Sequence, residues 1–160
     1  AKHLVMISGN HDFAFQTEPA EMKKILMKFP RINYLQDSEV VIEGLKIYGS
    51  PWQPWFHNWA FNAQADELKV IWSKIPDDAD ILVTHGPPYG ILDKTSHGKL
   101  VGCQHLLDRI NQVNPKIHCF GHIHETYGTR SNGTTTFINA STCNLQYEAL
   151  NPIQIFMVPN

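Results

Sequence analysis

The sequence predicts an α/β domain whose strands are covered by helices, and three observations point to it. Short apolar runs alternate with segments of helical periodicity through the first two thirds of the chain. Three of those runs end in polar, histidine-bearing turns: Gly9-Asn10-His11-Asp12, His85-Gly86-Pro87-Pro88 and Gly121-His122-Ile123-His124. Ligand crevices of open α/β sheets lie at the carboxyl ends of strands, so the three turns are expected to converge.

Leu4 to Ile7 reads as a buried strand, ending at Ser8-Gly9 and delivering Asn10, His11 and Asp12. Met22, Ile25, Leu26 and Phe29 recur at helical spacing, which predicts an amphipathic helix entered through Pro19 and closed by Pro30. Val40 to Ile42 and Leu45 to Tyr48 flank Glu43-Gly44 as a tight hairpin, followed by an aromatic, proline-rich loop from Gly49 to Trp59. Leu68, Ile71, Trp72 and Ile75 mark a second helix before the turn at Pro76-Asp77-Asp78. The strand Ile81 to Thr84 leads into His85. A third helix, marked by Leu106, Ile110 and Val113, ends before Pro115, and the strand Ile117 to Phe120 leads into the Gly-His-Ile-His turn. Beyond Tyr127 the sequence predicts β-structure: a hairpin turned at Asn132-Gly133, a strand from Thr135 to Ile138 and a last strand from Ile153 to Val158.

Composition narrows the function. The 160 residues suit a single domain, and 42% hydrophobic with 18% charged residues suits a folded globular one. A net charge of −2 supplies no basic field for duplex nucleic acid. No stretch approaches the roughly 18 apolar residues of a membrane span, so no membrane partner is expected. Cys103, Cys119 and Cys143 are odd in number and far apart, which predicts reduced thiols and a cytoplasmic setting. The sequons at Asn132 and Asn139 matter only outside that setting. The nine histidines are the unusual count, and several stand at strand ends, where imidazoles can bind metal or move protons.

Each histidine turn has a bland reading. Gly, Asn and Asp form turns without any chemistry, and His85 can be an ordinary loop residue. His122 and His124, at i and i+2 of a segment taken as extended, are expected to point the same way, which suits ligands on neighbouring metals. Neutral imidazole nitrogens and an Asn carbonyl are good ligands for borderline first-row ions. All the pieces in this order, each at a strand end, favour a metal site.

These blocks resemble the calcineurin-like phosphoesterases, marked by Asp-x-His, Gly-Asp-x-x-Asp, Gly-Asn-His-Asp/Glu, a lone His and Gly-His-x-His. The last three blocks are present as Gly9-Asn10-His11-Asp12, His85 and Gly121-His122-Ile123-His124. The segments GSPWQPWFHNWAFN, THGPPYG, VGC and INASTC are similar to the metallophosphoesterase-domain-containing, or brain 239, subfamily. The resemblance implies the αββα sandwich, two stacked mixed sheets flanked by helices, here lacking its first two βα units. It implies two divalent ions, Mn, Fe, Zn or Mg, with Mn the ion for work in vitro. Asn10, His85 and His122 would bind one ion and His124 the other, joined by a bridging Asp. His11 would face the scissile phosphate and stabilise its charge or protonate the leaving oxygen, with Asp12 holding its ring. Asn10, His11 and His122 would thereby also contact substrate. The implied substrate is a small phosphate ester, a cyclic nucleotide in this subfamily, cleaved by metal-activated water. Some mammalian members carry Gly at the position of His122; this sequence keeps His, which favours an active enzyme over a scaffold with a degenerate metal site.

The family's first two blocks should precede Leu4 to Ser8, and residues 1 to 3 cannot hold them, so a preceding segment is expected to complete the metal site. Leu4 to Ser8 is expected to be an inner strand with neighbours on both edges. Trp52, Trp55, Phe56 and Trp59 form either a hydrophobic plug or a nucleobase-stacking wall. His97, in the polar loop Asp93 to Lys99, is a candidate for contact with a substrate phosphate. His57 is expected to face solvent, and His3, His105 and His118 to be structural or exposed. A mononuclear structural zinc site is disfavoured, because Asn is a poor structural zinc ligand and no cysteine joins the cluster.

Overall fold

The computed structural model describes residues 1–158. β1 (Leu4–Met6) pairs in parallel with β2 (Ile32–Tyr34), and between them run α1 (Phe13–Thr17) and α2 (Pro19–Leu26). β3 (Ser38–Ile42) and β4 (Leu45–Ser50) form the expected hairpin, with Glu43 and Gly44 at φ 51° and 85°, as a two-residue turn matched to strand twist requires. Short strands β5 (Gln53–Pro54) and β6 (Asn62–Ala63) pair across the base of the aromatic loop. Then come α3 (Ala65–Trp72), β7 (Ile81–Thr84), α4 (Gln104–Val113), β8 (Ile117–Phe120), β9 (Gly128–Ser131) and β10 (Thr136–Asn139). The main sheet has six strands in the order β3-β4-β7-β8-β10-β9, parallel from β4 to β10 with antiparallel edges.

Local chemistry explains the helix ends. Pro19 at the first turn presets φ for α2. Gln64 and Glu67 form a capping box at the start of α3. Asn114 adopts the left-handed conformation at φ 53° and stops α4 just before Pro115.

Sheet periodicity then divides the molecule into layers. Tyr48, Leu82 and Phe137 share the face covered by Leu68, Ile71 and Trp72 of α3 and by Leu106 and Ile110 of α4; this is the hydrophobic core. On the opposite face Gly49 lets Ile7 and Leu35 approach, where a Cβ would meet them at 2.8 and 2.5 Å. The β1–β2 pair therefore forms a partial second layer.

Four expectations need correction. Ile153 to Val158 is not a strand: Ile153, Ile155 and Met157 are exposed, and the contact to the sheet is one bond from Gln154 Nε2 to Asn139 O at 2.8 Å. Apolar alternation describes a potential face, and among the described residues no strand pairs with it. Second, the first helix ends at Leu26, short of Phe29. Third, Asp12 closes the turn at Gly9, with Oδ2 accepting the Gly9 N–H at 2.6 Å. Fourth, the histidine turn after β8 is not extended: His122 has φ 71°, and His124 opens a short 3₁₀ turn, His124–Thr126.

Candidate metal centre

The loops after β1, β7 and β8 meet in one cleft of about 710 Å³, whose lining includes Asn10, His11, Asp12, His85, His122 and His124. The loop after β1 is built around Gly9. A Cβ there would lie 2.8 Å from Cε1 and Nδ1 of His85, so glycine leaves room for the imidazole. Asp12 Oδ2 accepts the Gly9 N–H at 2.6 Å, and Asp12 N–H bonds back to Gly9 O at 3.1 Å. That carboxylate closes the turn instead of holding the His11 ring. Ala60 N–H donates to Asn10 O at 3.0 Å and ties the aromatic loop to the same turn.

The Gly-His-Ile-His turn is fixed from beneath. Ile123 N–H bonds Gly121 O at 2.8 Å across His122, forming a γ-turn with positive central φ, a strained geometry. Buried Asn139, at the end of β10, donates to Ile123 O at 2.8 Å and accepts Ser141 N–H at 3.1 Å. Its burial also removes the Asn139 sequon from reach. Gly121 N–H donates to His85 O at 3.0 Å, joining the two histidine loops.

At the centre three polar atoms crowd around a fourth, His85 Nε2. His85 Nε2 lies 2.9 Å from Asn10 Oδ1, 3.1 Å from His122 Nδ1 and 3.4 Å from Asn10 N. One ring nitrogen carries a hydrogen or a lone pair, never both, so it cannot donate to Oδ1 and accept from the backbone N–H at once. Burial, followed by the neighbouring His122, His11 and His124, pushes the His85 pKa down to about 3. Burial, then His124 and His11, lowers that of His122 to about 4. Both rings are neutral near pH 7, the state in which imidazole can take a cation. Atoms sharing an ion at bonds of about 2.1 Å stand about 3.0 to 3.4 Å apart, close to the 2.9 and 3.1 Å from His85 Nε2 to Asn10 Oδ1 and His122 Nδ1.

His124 lines the same cleft, and its Nδ1 lies 2.9 Å from Asn144 O. A carbonyl at Nδ1 places the proton there and leaves Nε2 as the free donor atom. His11 is exposed and packs its ring 5.1 Å from Trp59, away from buried Asn10. His97 is exposed on its loop and does not line the cleft; the adjacent Ser96 N–H is held by Glu125 Oε1 at 2.8 Å. Among the described residues no three His, Cys, Asp or Glu side chains form a metal-binding group; the cluster described above joins two histidines to Asn10.

The aromatic loop splits in two. Trp52 packs against Phe61 and the core, donating Nε1–H to Asp37 at 3.0 Å, whereas Phe56 and Trp59 face the cleft. Sequence reasoning missed the other wall, from Ser141 to Tyr147, where Tyr147 meets His124 edge-on at 5.6 Å. The subfamily-like INASTC run overlaps the start of this wall without marking it as part of a cleft, and the segment arrives through the hairpin β9–β10. A second concavity of about 580 Å³ between α2 and β2 is lined by apolar groups such as Met22, Leu26 and Phe29 and holds no comparable donors.

The calcineurin-like phosphoesterase profile matches residues 1–126. The chain belongs to the calcineurin-like phosphoesterase family. It is 41% identical over 181 residues to the human metallophosphoesterase domain-containing protein 1, covering 99% of this chain and 56% of that protein. It is 37% identical over 183 residues to the UPF0046 protein T07D4.2 of Caenorhabditis elegans, covering 97% of this chain and 46% of that one. The chain thus spans somewhat over half the length of the human relative. Among solved structures, TT1561 of Thermus thermophilus matches with a TM-score of 0.56 at 15% identity, over 86% of this chain and 62% of that one. Another matches with a TM-score of 0.68 at 17% identity, over 86% of this chain and 56% of that one. These structural likenesses extend the family's mixed α/β fold to the chain. No helix among the described residues is long and apolar enough to cross a membrane.

Proposed function

We propose that the protein is a metal-dependent phosphoesterase that cleaves phosphodiesters of the cyclic-nucleotide class, using two divalent ions. Asn10, His85 and His122 hold one ion, and His124 turns Nε2 toward the other. The crowding of Asn10 Oδ1 and His122 Nδ1 around His85 Nε2, at 2.9 and 3.1 Å, carries this reading. Bound ions would supply Lewis acidity toward phosphoryl oxygen and acidify water.

The protein's own groups do the rest. His11 stands in the cleft free of the donor cluster, so its imidazole N–H is available to the leaving oxygen or to phosphate charge. Trp59 and Phe56 offer an apolar wall on which the organic part of an ester can lie. Asp12 shapes the turn through Gly9, and His97 would reach a bound phosphate only by movement of its loop. Each carboxylate lining the cleft accepts one backbone N–H, Asp12 through Oδ2 and Glu125 through Oε1. The donors gathered around His85 Nε2 are neutral groups.

The test uses full-length protein and bis-p-nitrophenyl phosphate. Turnover is expected with Mn²⁺ and is abolished by exhaustive chelation. Full activity after chelation would exclude the mechanism. Metal binding with no turnover on this diester or on cyclic nucleotides would assign the site to a scaffold.

A further inference from the structure

His118 takes no part in the site above, yet it lies wholly buried on β8, with its ring 4.8 Å from that of Phe120 and 6.0 Å from that of Phe137. Its proton can be placed by counting donors. Thr84 Oγ1 lies 2.7 Å from Gly86 O and 2.8 Å from His118 Nε2. A carbonyl only accepts, so the threonine hydrogen goes to Gly86 O. Nε2 must then carry the hydrogen that reaches Oγ1. Nδ1 keeps a bare lone pair, and it has no partner among the described residues. Burial pushes the His118 pKa down to about 3, in keeping with a neutral ring.

An orphaned acceptor in a core is a cost that an aromatic hydrocarbon would not carry. What the histidine provides lies at the other end of the bond chain. Thr84 precedes His85 and Gly86 follows it, so the hydroxyl closes a bond across the residue whose imidazole meets Asn10 and His122. We propose that His118 and Thr84 are positioning residues, a buried relay that fixes the turn carrying His85 and so aims its Nε2 into the donor cluster. The relay rests on the metal reading of His85 only where metal affinity is the readout.

The experiment compares full-length Thr84→Ser, Thr84→Val, His118→Phe and the double variant Thr84→Val/His118→Phe. Imidazole ¹⁵N spectra of the metal-free protein should place the His118 proton on Nε2; a proton on Nδ1 overturns the relay. Thr84→Val strands the His118 Nε2–H and Gly86 O and should lower the urea midpoint, while the double variant, lacking that N–H, should recover part of the loss. Recovery of stability must not bring recovery of positioning. In the double variant the His85 resonances should shift and Mn²⁺ affinity, read by electron paramagnetic resonance, should fall about 10- to 100-fold, whereas Thr84→Ser stays within about threefold of wild type. A double variant with wild-type His85 resonances and wild-type Mn²⁺ affinity would reduce His118 to a core residue. If wild-type protein binds no Mn²⁺, the metal reading falls and the His85 resonances alone decide the relay. Should the double variant not fold, Thr84→Val against Thr84→Ser makes the same comparison.

Discussion

Gly9 has no side chain where the His85 ring now lies, and Asn10 and His11 diverge immediately after it. Gly9→Ala would drive a methyl into the imidazole at 2.8 Å, so the ring must move. Because the turn is at the surface of the cleft, the expected loss is in Mn²⁺ affinity more than in stability. Equilibrium dialysis beside a urea titration checks this, and unchanged affinity would remove the packing argument. His11 and His85 separate in the same assay. His11→Ala should lower kcat by roughly 10²- to 10⁴-fold with metal content retained, the range expected of a general acid. His85→Ala should lose metal. If His11→Ala loses as much metal as His85→Ala, then His11 is a ligand. A substrate whose leaving group needs no proton should restore part of the His11→Ala deficit if the ring is an acid, and little if it mainly stabilises phosphate charge.

Loops, more than strands, hold this cleft in shape, and the segment from Tyr89 to Cys103 is the clearest case. Asp93 is buried, and its Oδ2 accepts the N–H groups of both Gly90 and Gly102 at 2.9 Å. Cys103 N–H and O bond Pro87 and Tyr89, locking the start of α4 to the His85 loop. Asp93→Ala strands both donors and should cost about 3 kcal/mol in urea unfolding, whereas Asp93→Asn keeps an acceptor in place and should cost about 1 kcal/mol. Equal losses would mean that the oxygen is not what holds the loop. This brace was hidden in the sequence, where Asp93 reads as the first residue of a polar loop. The strands β7 and β8 were legible, because each is a largely apolar run stopped by a His-Gly pair or by Gly, and β4 was legible as far as Tyr48, although it runs on through Gly49 to Ser50. β2 was not, since three residues carry no readable period. The γ-turn at His122 was missed because side-chain identity favours negative φ at a non-glycine residue, and tertiary bonds from Asn139 and Gly121 overrule that preference.

Across the whole molecule, α3, α4 and the core lie on one face of the six-stranded sheet and the chemistry lies at its carboxyl ends, so the deepest histidine belongs to the core. His118 makes that arrangement sensitive to acid. Its pKa is about 3 in the fold against an ordinary 6.5, so above pH 6.5 it is neutral folded or unfolded and contributes no pH dependence. Below pH 6.5 the unfolded chain takes up a proton that the folded chain refuses, and stability falls until the pH reaches the folded value. At pH 5 the displacement of about 1.5 units amounts to roughly 2 kcal/mol. Urea midpoints of the chelated protein between pH 7.5 and 5 should therefore decline with acid. Whatever its midpoint at pH 7.5, His118→Phe lacks the titrating ring, so its decline should be shallower by about that amount. Parallel curves for wild type and His118→Phe would show that His118 is protonated as readily in the fold as outside it, which its burial between Phe120 and Phe137 forbids.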